Sequence, residues 1–291
     1  MKKLFFIIIF FYIQTHAQQK PFISLDSIKA YVIKDSIRKD SIKKHFLTTN
    51  WDNRKFNPYK NVTVEFPFEI SFDDVFYASP IPKDYVITSR YGWRWGRAHK
   101  GIDIDLITGD EVYAVLDGKV RYVGYHSGHG RTVIIRHYNG LETVYAHLSR
   151  YKVKVNDIVK KGQVIAKGGN TGNSKGSHLH LETLYKGKHI NPEYLFSFDQ
   201  KHKINKPHFW VTRDYVTPFL HNSKRETEFE YYATREEAEN SEGIQQQVYV
   251  VKRGDTLYKI SRRYNVSISR ICKANSIRKN STLRIGQELV L

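Results

Sequence analysis

Two histidines and a glutamate alternate with leucines in the stretch His178-Leu179-His180-Leu181-Glu182. Alternation with a period of two is typical of a strand that buries one of its faces. On such a strand the two histidines share a face and stand about 6.5–7 Å apart. Two imidazoles at that spacing can converge on one metal ion, or on one ion and its bound water. The alternative is a pair of solvent-facing histidines.

A second pair of candidate ligands, His99 and Asp103, lies upstream. On a straight strand they would be about 13 Å apart, too far to share an ion. Gly101 permits a bend between them, so we expect His99 on a loop and Asp103 on the strand that follows. With His180 they form a set of two histidines and one carboxylate, which is a catalytic zinc arrangement with a fourth position open for water. A histidine and an aspartate four residues apart occur often by chance. The metal-site interpretation is supported by their combination with the motif His178-Leu179-His180.

His147, in the stretch Tyr145-Ala146-His147-Leu148, is a third candidate. On a strand it shares a face with Tyr145. It is a candidate general base, or a donor to the oxyanion that develops on a scissile carbonyl. The alternative is an exposed strand histidine. Glu182 is assigned at most a supporting role beside the ligands. The other histidines have no partner pattern and are predicted to lie on the surface: His126, His129, His137, His189, His202, His208 and His221.

Residues 87–198 predict a compact, mainly antiparallel β domain. Short runs of alternating apolar residues recur with turn residues between them, and no long helical pattern interrupts them. A Gly- and Asn-rich run, residues 167–176, predicts the loop that enters the His178 strand. The predicted strands are residues 112–116, 118–125, 132–137, 143–147, 163–166 and 178–184.

The flanking segments differ in composition. Residues 18–86 form a basic N-terminal segment that we expect to pack beside the catalytic domain, with residues 18–50 as an amphipathic helix or a solvated arm. Residues 199–246 predict a linker with ordered aromatic patches near Trp210 and Tyr215. Residues 247–291 predict a small β-α-α-β domain.

Charge and the N-terminus indicate an exported protein. The net charge is +18, which favours anionic partners such as acidic envelope polymers. Residues 1–17 are interpreted as a signal peptide, with a basic start, a short apolar run and Ala17 before the cleavage point, and the alternative is an uncleaved anchor. That run is too short to span a bilayer, so no stable membrane span is expected after cleavage. Export makes nucleic acid an unsuitable partner. The single cysteine, Cys272, excludes an intramolecular disulfide and is predicted to be buried.

Four stretches together resemble the lysostaphin/LytM-type zinc endopeptidases, which cleave peptide bonds in bacterial cell-wall peptidoglycan. The resemblance implies that His99, Asp103 and His180 bind one Zn²⁺ per chain, and that His147 and His178 assist catalysis. One of these two would accept a proton from water and the other would stabilise the oxyanion, and the resemblance does not assign which. It also implies an antiparallel sheet with a narrow groove. The matching stretches are residues 89–94, 99–103, 145–148 and 168–182.

Residues 247–291 resemble a LysM module, carried by residues 249–261 and 283–287. Such modules bind glycans that contain N-acetylglucosamine. The two resemblances predict a periplasmic, cell-envelope or extracellular zinc metalloendopeptidase that hydrolyses cross-links between peptidoglycan stem peptides, with the LysM module bound to the glycan strands. The alternatives are a non-enzymatic activator of cell-wall amidases or peptidoglycan-binding scaffold, and a LysM-dominated adhesin. Relatives that act as activators have lost metal ligands, whereas none is missing here.

Overall fold

A computed structural model describes residues 40–41, 44–81, 84–94, 97–227, 230–242, 248–264 and 266–291. The predicted signal peptide and most of the predicted N-terminal arm lie outside these residues. Within the described ranges, no helix has the length and apolar character needed to cross a membrane.

The architecture is mainly β with antiparallel sheets, as predicted. The strands are β1 (Phe68–Ser71), β2 (Ile87–Ser89), β3 (Gly92–Arg94), β4 (Arg97–His99), β5 (Ile102–Asp105), β6 (Glu111–Tyr113), β7 (Gly118–His126), β8 (Gly130–His137), β9 (Leu141–Leu148), β10 (Arg150–Tyr151), β11 (Ile158–Val159), β12 (Val164–Lys167), β13 (His178–Tyr185), β14 (Lys188–Ile190), β15 (His208–Val211), β16 (Val248–Val250) and β17 (Glu288–Val290). The numbered helices are α1 (Pro192–Leu195), α2 (Arg235–Glu242), α3 (Leu257–Tyr264) and α4 (Ile268–Ala274), with 3₁₀ turns at Arg213–Val216 and Pro218–Leu220. Residues 44–48 are also helical.

The central sheet has the strand order β11-β7-β8-β9-β13-β5-β2, and β14 pairs with β13. All its pairings are antiparallel. Because β13 lies between β9 and β5, side chains from three neighbouring strands can meet at one point. The registers put His180 opposite Asp103 on one side and opposite Ala146 on the other.

Around the middle of β13, the two faces of the central sheet carry different kinds of side chain. The apolar face packs Ile104, Leu179 and Leu181 into the main core, where all three are fully buried. The opposite face, called here the polar face, carries His180 and Glu182, as the alternation along this strand predicts. The polar face therefore carries the side chains of β13 that are able to bind a metal ion or transfer a proton.

The N-terminal strap, residues 44–62, covers part of the polar face. Beneath it, Arg121 and Arg136 are each 1% exposed and donate to the Glu142 carboxylate at 2.5 and 2.8 Å. Their other N–H groups donate to backbone carbonyl oxygens of the strap at 2.7–2.8 Å. Removing a partner from a buried charge costs about 3–5 kcal/mol. The strap is therefore an integral part of the folded domain.

The predicted linker, residues 199–246, is folded over much of its described length, which differs from the expectation. β15 pairs with β1, and Phe209, Val211 and Tyr215 belong to the main core. The difference arises because these apolar residues are scattered among polar ones and pack on a neighbouring domain. Local composition alone does not reveal such a partner.

Two histidines that were predicted to lie on the surface, His137 and His221, are buried. The Nδ1–H of His137 donates to the Asp117 carbonyl oxygen at 2.9 Å, and its Nε2 lies 2.8 Å from the Thr143 hydroxyl. The prediction was wrong here because the hydrogen-bond partners that permit burial come from other strands.

Residues 248–291 form a β-α-α-β unit with its own apolar core. β16 pairs with β17, and the backbone N–H of Lys259 donates to the Thr256 hydroxyl at 3.1 Å, which caps α3. Leu257, Ile260 and Cys272 are buried in the core of the unit. The predicted element order and the burial of Cys272 are confirmed.

Candidate metal centre

The structure brings His99, Asp103 and His180 together from three different strands. His99 Nε2 lies 3.0 Å from Asp103 Oδ1 and 3.1 Å from His180 Nδ1. His180 Nδ1 lies 2.7 Å from the same Asp103 oxygen. All three residues are buried, and their ligand atoms form a compact triangle. The three predicted ligands are therefore placed where one ion can contact all of them.

Hydrogen bonds on the far side of each ring orient the two histidines. The Nδ1–H of His99 donates to the Arg90 carbonyl oxygen at 2.7 Å, which leaves the Nε2 lone pair aimed at the triangle. The Nε2–H of His180 donates to Glu182 Oε1 at 3.0 Å, which leaves Nδ1 aimed there. A metal-binding histidine characteristically donates its other N–H to a carbonyl or carboxylate in this way.

Arg94 completes the outer contacts of the triangle. Its Nη1 donates to Asp103 Oδ2 at 2.9 Å and to the Ser89 hydroxyl oxygen at 2.6 Å. One carboxylate oxygen is thereby engaged and the other faces the histidines. Ligand atoms of a tetrahedral zinc site lie about 3.3 Å apart, so an outward shift of a few tenths of an ångström would fit the ion. The donor set suits zinc in number, type and spacing.

The charges within the triangle depend on one another. Burial lowers the pKa of His180, but hydrogen bonds to Asp103 and Glu182 outweigh it and raise that pKa to about 9. Burial raises the pKa of Asp103, but hydrogen bonds from His180 and His99 outweigh it and hold the pKa well below its usual range. Burial also lowers the pKa of His99. His180 therefore holds a proton at both nitrogens at neutral pH unless a cation takes the place of the one at Nδ1.

The geometry around Gly101 explains how His99 and Asp103 meet. His99 ends β4 and is not on a loop as predicted, whereas Asp103 lies in β5 as predicted. A Cβ at Gly101 would lie 2.3 Å from the Leu181 carbonyl oxygen, so only glycine fits against β13 here. Glycine at position 101 is therefore needed for the predicted bend and also for the close approach of its backbone to that of Leu181.

His147 reaches the centre through a bulge in β9. Between Leu148 and Tyr145 the pairing with β8 loses register, which inserts an extra residue into β9. His147 there has φ of +60°, a left-handed conformation that costs a non-glycine residue about 1–3 kcal/mol. Tyr145 faces the main core, so the prediction that it shares a face with His147 is wrong. The bulge turns His147 toward His180, with ring centroids 5.8 Å apart.

His147 and His178 stand side by side beside the triangle, with ring centroids 4.7 Å apart. The Nδ1–H of His147 donates to the Thr171 carbonyl oxygen at 2.7 Å, and that of His178 donates to the Gly176 carbonyl oxygen at 2.8 Å. Each Nε2 is thereby left for chemistry, and His178 Nε2 lies 3.6 Å from Asp103 Oδ1. Burial and the nearby His180 lower the pKa of His147 to about 4, so it is neutral at pH 7.

A chain segment beyond the predicted β domain clamps the turn that orients His99. The backbone N–H of Arg90 donates to the Ser223 carbonyl oxygen at 2.9 Å, and that of Trp93 donates to the His221 carbonyl oxygen at 2.8 Å. Between them, Gly92 has φ of +136°, and a Cβ there would lie 2.6 Å from the His221 carbonyl. The clamp therefore requires glycine at position 92.

We expect Gly92→Ala to lower the free energy of unfolding by about 2–4 kcal/mol, because backbone strain and a steric clash add together. Denaturant unfolding measures the change. Gly109→Ala is the matched control, since Gly109 also has positive φ, at +102°, but has no atom within 4 Å of an added Cβ. Equal losses in the two variants would contradict the role given to the His221 contact.

A fifth histidine at the centre, His129, was predicted to lie on the surface. It is half-buried, and its Nε2–H donates to Glu182 Oε1 at 3.1 Å. His129, His180 and Glu182 form a second group with metal-ligand spacing. Because the N–H groups of both histidines donate to the same Glu182 oxygen, this group is a hydrogen-bond network around a carboxylate. Spacing along the chain carries no signal for His129, since it reaches Glu182 from the turn between β7 and β8.

Comparison with known proteins gives two family matches. Residues 97–192 match peptidase family M23, and residues 249–291 match the LysM domain. The DD-carboxypeptidase/endopeptidase Mpg of Neisseria meningitidis is 42% identical over 113 residues, which are 36% of this chain and 26% of that protein. The murein hydrolase activator NlpD of Escherichia coli is 42% identical over 95 residues, which are 32% of this chain and 25% of that protein.

Among solved structures, the catalytic domain of the antimicrobial peptidase lysostaphin from Staphylococcus simulans aligns with 38% of this chain and 90% of its own. The two are 32% identical and the TM-score is 0.36. The chain spans about a quarter of the length of these curated relatives from Neisseria meningitidis and Escherichia coli.

Proposed function

We propose that this chain, in which a peptidase family M23 domain is followed by a LysM domain, is a zinc metalloendopeptidase that hydrolyses peptide cross-links in peptidoglycan. One observation carries the proposal: His99 Nε2, Asp103 Oδ1 and His180 Nδ1 lie within 3.1 Å of one another. The proposed place of action is the cell envelope, where this polymer lies.

In the proposed site His99, Asp103 and His180 hold one Zn²⁺. A zinc ion bound there supplies Lewis acidity toward a carbonyl oxygen and lowers the pKa of a bound water. The chain's own contribution is orientation. The Arg90 carbonyl and the Glu182 carboxylate fix the two rings, so the ligand atoms are preorganised before the ion binds.

Proton transfer is proposed for His147 and His178. Each donates its Nδ1–H to a backbone carbonyl, so each ring is fixed with Nε2 facing the site. His147 is neutral at pH 7, so its Nε2 is able to accept a proton from the attacking water. The neighbouring ring is then placed to donate toward the oxyanion. Which histidine takes which part is decided by the pH–rate profiles of their variants.

Residues 247–291 are proposed to hold the enzyme on glycan strands that contain N-acetylglucosamine. We expect a chain ending at residue 246 to cleave small soluble peptides at the parent rate. Its binding to intact sacculi should weaken by about tenfold or more, because tethering raises the effective concentration of the enzyme at the polymer. Co-sedimentation with sacculi measures this, with the full chain as the control. Equal sedimentation of both chains would contradict the targeting role.

The test of the proposed function combines metal content with cleavage. The purified full chain, loaded with zinc, is incubated with defined cross-linked muropeptides, and the products are weighed by mass spectrometry. We expect about one zinc per chain and a pair of fragments that has gained one water at a peptide bond. Treatment with a chelator should stop cleavage, and added zinc should restore it.

A second candidate function is activation of a separate cell-wall amidase. This function is favoured by the similarity to a murein hydrolase activator, which extends over 32% of this chain. The complete two-histidine, one-carboxylate set supports the enzyme instead, since an activator needs no metal ligands. Zinc-dependent cleavage without any added amidase discriminates between the two functions.

A further inference from the structure

His129 lies between the metal centre and the N-terminal strap. Its Nε2–H donates to Glu182 Oε1, the same oxygen that accepts the Nε2–H of His180. Glu182 is 2% exposed, and its Oε1 accepts both N–H groups at 3.0–3.1 Å.

The other side of His129 contacts residues that do not touch the ligands. Its Nδ1 lies 3.0 Å from His126 Nδ1, and because Nε2 carries the His129 proton, His126 is the donor in this pair. Phe56, from the N-terminal strap, stacks on His126 with ring centroids 4.0 Å apart. The same phenyl ring lies 4.8 Å from the ring of His129. The strap thus covers the side of the His126–His129 pair that faces away from Glu182.

We propose that His129 is a positioning residue for the metal centre. By holding Glu182 it fixes the ring of His180 with Nδ1 aimed at the ion. The strap takes part through Phe56, which keeps the His126 and His129 rings in place. This inference rests on the proposed function, because it assigns His180 to the metal.

The backbone of His129 supports the same centre from a second direction. Its carbonyl oxygen accepts the backbone N–H of His147 at 2.8 Å, at the bulge that turns His147 toward the site. A side-chain substitution at position 129 leaves this backbone contact in place. Effects of such a substitution on metal binding therefore report on the Glu182 contact.

The test compares zinc affinities of full-length variants by competition with a chromophoric chelator. His129→Phe keeps a flat ring but loses the N–H, whereas His129→Gln keeps a donor. Removing an outer partner of a metal ligand costs about 10–100-fold in affinity. We expect His129→Phe to bind zinc about 10–100-fold more weakly than the parent and His129→Gln to recover most of that loss. His208→Phe, at an exposed histidine of β15, is the control and should match the parent.

A merely structural role would lower the thermal midpoints of the metal-free Phe and Gln variants alike without separating their zinc affinities. Parent-like zinc affinity in His129→Phe would overturn the inference, and so would equal losses in both variants. A second equivalent of zinc that depends on His129 would make it a ligand and also overturn the positioning role. If His129→Phe does not fold, Phe56→Leu replaces it, and an unchanged zinc affinity there overturns the part given to the strap. A parent chain that binds no zinc would instead overturn the proposed function, and this inference with it.

Discussion

Asp103→Ala is expected to lose its zinc and its hydrolytic activity while the protein stays folded. Asp103 Oδ1 lies within 3.0 Å of both His99 Nε2 and His180 Nδ1. Removing it takes away a ligand and the negative charge that offsets the ion. The loss of zinc affinity should therefore be larger than the loss of about 10–100-fold that follows removal of an outer partner.

The fold should survive because the apolar face of the sheet supplies the core without Asp103. Arg94 keeps the Ser89 hydroxyl as a partner in the variant. Metal content by elemental analysis and the far-UV circular dichroism spectrum measure the two halves of this prediction. Asp105→Ala, at an exposed aspartate on the same strand, is the matched control and should keep its zinc. A fully active Asp103→Ala protein would refute the ligand assignment.

His147→Ala and His178→Ala are expected to keep near-stoichiometric zinc and lose turnover by about 10²–10⁴-fold, the range for losing a positioned acid–base group. His180→Ala, two residues from His178 on the same strand face, should lose the metal. We expect these different outcomes because His180 lies closer to the ligand Asp103 than His178 does. His180 Nδ1 lies 2.7 Å from Asp103 Oδ1, whereas His178 Nε2 lies 3.6 Å from the same oxygen.

Metal content and turnover of these three variants, measured on the same preparations, separate ligands from catalytic groups. The bell-shaped pH profile of the parent should lose one limb in the variant that lacks the general base. His208→Ala serves as a control for loss of a histidine far from the centre. If His178→Ala lost its zinc as fully as His180→Ala, both would be ligands and the open fourth position would need another account.

The sequence predicts the strand of His178 and His180 correctly because local alternation and burial agree there. Leu179 and Leu181 enter the core and the histidines face the other way, as a period of two requires. The β-α-α-β unit at the C-terminus was equally predictable, since its turn and capping residues lie next to the elements they end. Both cases depend on information within a few residues of each element.

Other features depend on partners that are distant in the chain. The bulge at His147 reverses the expected alternation, and nothing in Tyr145-Ala146-His147 marks it. His129 meets Glu182 across 53 positions of sequence. Arg121 and Arg136 are buried beneath a strap whose carbonyl groups they bind. The spacing of residues along the sequence does not predict such contacts, because they form only when separate elements pack together.

The proposed function is zinc-dependent hydrolysis of peptide cross-links by this chain itself. Its most direct test is mass analysis of defined cross-linked muropeptides after incubation with the zinc-loaded full chain alone. We expect two fragments whose summed mass exceeds that of the substrate by one water, and no such fragments with Asp103→Ala. Intact muropeptides in the presence of a chain that holds one zinc would contradict it.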